Sequence, residues 1–112
     1  MAQQKISESE KQIIQQIESL VNAELLNLPS HLKDWAERHL ITPRQMAFAL
    51  KDDGTGEITL WLVTDDTGNR DSSSRIVFDE IKGKFGLVMS LKNGVKWFIG
   101  IYGGFAETIN AM

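Results

Sequence analysis

The strand-like runs between Met46 and Tyr102 are apolar or small in both of their alternating sets of side chains. Successive strand residues point to opposite faces, so a sheet built from these runs offers water no properly polar side. In QMAFALK, Met46, Phe48 and Leu50 alternate with Ala47 and Ala49; in EITLWLVT, Ile58, Leu60 and Leu62 alternate with Thr59, Trp61 and Val63. Phe85 to Leu91 and Val95 to Tyr102 repeat the pattern. Turn-forming residues divide these runs into two hairpins. Asp52-Asp53-Gly54-Thr55-Gly56 lies in the first and Lys92-Asn93-Gly94 in the second, where Asn-Gly predicts a tight type I′ turn. Between the hairpins, DDTGNRDSSS (65–74) reads as a polar loop, and Arg75–Asp79 as either a third strand or a short helical turn.

Phased by alternation, one face collects Met46, Phe48, Leu60 and Leu62 with Phe85, Leu87, Trp97 and Ile99, and is predicted to lie under the N-terminal helices. The opposite face collects Ala47, Ala49, Trp61, Val63, Gly86, Val88, Phe98 and Tyr102. An apolar patch of that breadth is a liability in water. Three covers compete for it: the C-terminal segment from Phe105 to Met112, a second copy of the chain, or a ligand or protein partner.

The first 42 residues follow a different period. Ile13, Ile14, Ile17, Leu20, Val21, Leu25 and Leu28 recur at helical spacing, and Ser7-Glu8-Ser9-Glu10 supplies a capping-box pattern at the start. Pro29-Ser30 breaks that helix, because proline restricts the residue before it and lacks an N–H. A second helix carries Leu32, Trp35, Ala36, His39 and Leu40, and is expected to end at Thr42-Pro43 by the same steric rule. Residues 1–7 lack periodicity and are expected to fray.

The chain of 112 residues has the length of a single domain spanning 1–112, enough to bury a core without disulfides or metals. With no cysteine, disulfides, thiolate nucleophiles and cysteine-based zinc sites are excluded, which fits a cytoplasmic protein. The net charge is −3, neither half is basic and no Lys/Arg cluster occurs, so nucleic acid is not an expected partner. No run is long and apolar enough for a membrane span.

No strong catalytic or cofactor motif emerges. Gly100, Gly103 and Gly104 stand between a strand-like and a helix-like run, a setting that can cradle a phosphate. The phosphate-binding lysine and hydroxyl are missing, and too few residues follow for another strand, so this stretch reads as a corner and helix entry. His31 and His39 lack metal-ligand spacing. Asp65, Asp66, Asn69 and Asp71 depart from the calcium-loop order. Ser72-Ser73-Ser74 has no histidine base placed by spacing. No cofactor or metal is expected.

The sequence therefore predicts an α+β domain: two N-terminal helices, a mostly antiparallel sheet of four or five strands, and a short C-terminal helix. Two functions are expected. The first is a non-catalytic intracellular protein-interaction domain, self-associating as a homodimer, with an inhibitor or immunity-type binder as its most concrete form. The second is a small-molecule binding domain or enzyme whose pocket is framed by Trp61, Phe98 and Tyr102, with Arg75 for an anionic group.

Overall fold

The capping box at Ser7 forms as the sequence predicts. In a computed structural model describing residues 7–65 and 73–111, Ser7 Oγ accepts the Glu10 amide at 3.1 Å while Glu10 Oε1 accepts that of Ser7 at 3.3 Å. These bonds satisfy two donors at the start of helix α1, Glu8–Leu25. Of residues 1–7, expected to fray, Ser7 is instead held as the helix cap, and residues 1–6 lie outside the described residues. Leu28 is buried in the link, and α2 runs from Ser30 to His39.

Strand β1, Leu40–Ala49, follows α2 with no intervening loop. The helix thus ends before Thr42-Pro43, and Pro43 sits inside the strand, where the register to β2 is irregular between Leu40 and Arg44. Proline lacks a ladder donor and is tolerated on an edge strand or at such an irregularity. The remaining elements are β2 (Glu57–Thr64), β3 (Ser73–Asp79), β4 (Lys84–Ser90), β5 (Lys96–Gly103) and helix α3 (Phe105–Asn110). The molecule is α+β as predicted, with five strands among the described residues, and residues 73–79 form the third. The core of the predicted polar loop, 66–72, lies outside the described residues.

Neighbouring strands pair antiparallel from β1 through β5, and the sheet closes into a barrel through one parallel pair, Ala49 with Trp97. That closure answers how a sheet apolar on both sides avoids water. Phe48, Leu60, Leu62, Val77 and Val88 form a buried cluster with Met46, Ile58 and Phe98 against it, and no helical residue belongs to it. The curled sheet covers this face with itself. The other face, with Trp61, Val63, Ile76, Phe78, Phe85 and Leu87, packs against Ile17, Val21, Ala36, Phe105 and Ile109 of the three helices.

Two expectations change here. The C-terminal helix, one of the three candidate covers for the second face, packs with the N-terminal helices on one face, and the two predicted faces each mixed residues of both real ones. Alternation fixes the phase within a hairpin, but the phase between hairpins passes through β3. Trp61 pairs with Phe78 and Phe78 with Phe85, which puts Phe85 and Leu87 beside Trp61 and opposite in direction to Leu60 and Leu62. Register shifts in the β4–β5 pairing then leave Ile99 and Tyr102 as extra residues in β5.

At the heart of the helical side, Phe78, Phe85 and Phe105 meet with ring centroids 4.9 and 5.6 Å apart, tilted and edge-on. Such pairs add about 0.5–1.5 kcal/mol each beyond the area they bury. Inside the barrel the strands come close enough to exclude a side chain at Gly86, where an added Cβ would run into the Gly100 carbonyl oxygen and sit 3.0 Å from Phe98.

The second hairpin departs from a type I′ turn. Leu91 and Val95 bond across a three-residue loop, and Gly94, at φ +86°, is its one left-handed residue. A type I′ turn needs two such residues; here Asn93 accepts the Val95 amide instead.

Candidate functional site

The barrel closes with a large stagger. Its single parallel pair joins the last residue of β1 to the second residue of β5. The rest of β1, and β5 from Phe98 to Gly103, have no further strand pairing on those edges among the described residues. A strand edge of this kind presents backbone donors and acceptors to any chain that can align with it.

The two edges are protected differently. β1 carries Pro43, which has no N–H to offer, and exposes Thr42, Arg44 and Gln45. Proline and charge are common protections against edge pairing. β5 beyond Lys96 reads WFIGIYG, without charge or proline. Trp97, Phe98, Ile99 and Ile101 are all half-buried, whereas residues 85–88 of the adjoining β4 are fully buried. Tyr102 is 40% exposed. Beside the closing pair a wide groove of about 560 Å3 opens between Ala47–Ala49, Gly54, Glu57, Val95 and Lys96. Its rim offers one carboxylate and one ammonium.

The four residues singled out from the sequence are not brought into one pocket. Trp61 is 3% exposed and lies under the helices, its Nε1 donating to Glu80 Oε1 at 3.2 Å. Phe98 packs partly into the barrel interior. Tyr102 borders a groove of about 400 Å3 with Leu20, Lys84 and Glu107. Arg75 lies on β3 and lines a different concavity with Arg44. Phe98 and Tyr102 do share β5, the strand with the unprotected edge.

The glycine corner at the end of β5 does receive an anion, supplied by the protein. Glu24 of α1 accepts the Phe105 amide at 2.7 Å and that of Ala106 at 3.2 Å. Glu107 reaches back to the Gly104 amide at 3.2 Å. The Glu24 carboxylate approaches so closely that a Cβ on Gly104 would lie 2.7 Å from its Oε1. The N-terminus of α3 is thus filled by an internal carboxylate.

The other polar residues serve local structure. His39 is half-buried, its Nδ1 2.7 Å from Asp65 Oδ1 and its ring 4.8 Å from that of Trp35. Asp79 accepts the Ile81 and Lys82 amides and caps the β3–β4 turn. Asp53 accepts both the hydroxyl and the amide of Thr55, and these bonds, the hydroxyl first, hold its carboxyl below the usual aspartate range. Among the described residues no three His, Asp or Glu side chains gather as metal ligands. No helix there is long and apolar enough to cross a membrane.

Models of known protein families, curated proteins and solved structures gave no match to this chain.

Proposed function

We propose that the chain is a non-catalytic protein-interaction domain that self-associates through β5, the edge of one copy pairing antiparallel with that of a second. One observation carries this reading: among the described residues, the stagger at Ala49 and Trp97 leaves the apolar edge from Phe98 to Gly103 without a strand neighbour. An antiparallel pair about Gly100 is self-complementary, as a twofold interface requires. It holds Lys96 of one copy far from Lys96 of the other. The same arrangement on β1 would bring two copies of Pro43 and Arg44 into the interface, which disfavours that edge.

Sedimentation over a range of concentrations tests the reading, with amide hydrogen exchange as a second measure. A dimer is expected, with exchange at Ile99 and Ile101 slowing as concentration rises. Tyr102→Lys, at an exposed position, should weaken the dimer about tenfold or more by placing charge on the pairing edge, while the unfolding midpoint of the monomer stays unchanged. A chain that remains monomeric up to roughly millimolar concentration, where even a weak association of about 4 kcal/mol would register, overturns it.

A further inference from the structure

At the end of the barrel away from the closing pair, Ile41, Thr42, Arg44, Leu62, Asp65 and Arg75 line a concavity of about 370 Å3. Strand alternation says what these side chains do there. Arg75 lies two residues from Val77 on β3, and Arg44 two residues from Met46 on β1. Val77 and Met46 both belong to the barrel interior, so both arginines project on the inner side of the sheet. Leu62, 1% exposed, forms the floor, and Ile41 packs on the same interior cluster. Arg44 and Arg75 thus both line the mouth of a barrel whose interior is already filled with side chains.

From this geometry we infer that the barrel mouth binds a small organic anion, its carboxylate or phosphate held by Arg44 and Arg75 and its short apolar body resting on Ile41 and Leu62. Guanidinium offers a planar fork of donors that matches either headgroup, and Arg75, already held by contacts within the protein, has five N–H groups in all. Thr42 adds a hydroxyl donor at the rim. Among the described residues Asp65 is the one carboxylate in the lining, and its Oδ1 is engaged by His39. The described part of the lining carries two guanidinium groups against this one carboxylate, an excess of positive charge that favours anions over cations. The packed interior limits the ligand to the mouth, and the volume lies within the range of small-molecule sites. This site is separate from the β5 edge and does not depend on self-association.

Titration of the full chain with benzoate and with phenyl phosphate, followed by amide and arginine side-chain NMR at fixed ionic strength, tests the inference. Benzylamine serves as the cationic control. Saturable shifts at Thr42, Arg44, Leu62 and Arg75 are expected with at least one anion, and the two probes separate carboxylate from phosphate preference. Arg44→Gln, at an exposed position, should weaken binding about tenfold, the loss of one charge-assisted bidentate contact. Arg75→Lys, which keeps the charge but loses the fork, should weaken it as well; if that variant does not fold, Arg44→Gln decides. No saturable shift with either anion up to about 50 mM, a range that detects affinities near 2 kcal/mol, overturns the inference. So does equal binding of benzylamine, or unchanged affinity in Arg44→Gln.

Discussion

Glu24 Oε2 accepts the backbone N–H of Phe105 at 2.7 Å, joining α1 to the start of α3 across 81 positions of sequence. The first amides of a helix have no partner within it and carry partial positive charge, so a carboxylate there both satisfies donors and complements the dipole. This contact tells α3 where to sit. It also places Phe105 over Phe85, at the centre of the helical side of the core. Glu24→Ala should cost about 1–2 kcal/mol, the range of a lost cap, and Glu24→Gln, which keeps an acceptor but loses the charge, about half as much. Urea denaturation checks both, and an unchanged midpoint for Glu24→Ala would show that α3 docks by its apolar side chains alone.

Gly104 and Gly86 are glycines for reasons of space. Alanine at Gly104 would press its methyl onto the Glu24 carboxylate, and alanine at Gly86 would press onto the Gly100 backbone and Phe98. The first neighbour is the end of a flexible side chain and the second is backbone inside a packed barrel. Gly86→Ala should therefore be the more damaging, by about 1–3 kcal/mol from overpacking, with Gly104→Ala at the low end of that range. Thermal unfolding of the two variants gives the order.

Trp61 lies on the face of the sheet that packs against the helices. Trp61→Lys would set an ammonium among Phe78, Val63 and the helices and leave Glu80 without its indole donor. A charge buried in this way costs several kcal/mol, so the variant should lose cooperative unfolding. A folded Trp61→Lys protein, judged by its near-ultraviolet circular dichroism, would place Trp61 outside the core.

The Asp53 carboxyl should titrate below the usual aspartate range because the Thr55 hydroxyl and amide bond to its charged form. A folded value held below the unfolded one contributes stability above the unfolded value and loses it as pH falls through the folded value. The group is fully exposed, so the measurable effect is the titration itself. Carboxyl-detected NMR should find the Asp53 midpoint low, and Thr55→Ala should move it upward by removing the hydroxyl bond.

Ser7, Glu10 and the helical spacing from Ile13 to Leu25 made α1 legible, since a cap and a 3.6-residue period are local properties of the chain; the stripe runs on to Leu28, which lies in the link beyond the helix. The two hairpins were legible in the same way, whereas residues 75–79 read equally as strand or helical turn, and only the structure makes 73–79 the third strand. The candidate edge was only half legible. Phe98 and Tyr102 stood out as aromatics on a sheet face, yet nothing local marks β5 as the strand left with a free edge. Arg44 drew no attention because its partner in the barrel mouth, Arg75, lies on a strand separated from it in sequence by a whole hairpin and a loop.

Alternation and capping were thus set by the sequence itself: where α1 and the two hairpins lie, and that neither side of the sheet tolerates water. Tertiary structure decided how that demand is met. The pairing of Trp61 with Phe78 and of Phe78 with Phe85 set the phase between the hairpins, and the meeting of Ala49 with Trp97 curled the sheet onto itself. Both depend on registers between strands far apart in the chain. A shift of one residue reverses every side chain on a strand, so the choice is made by packing the whole core at once and not by any single stretch of residues.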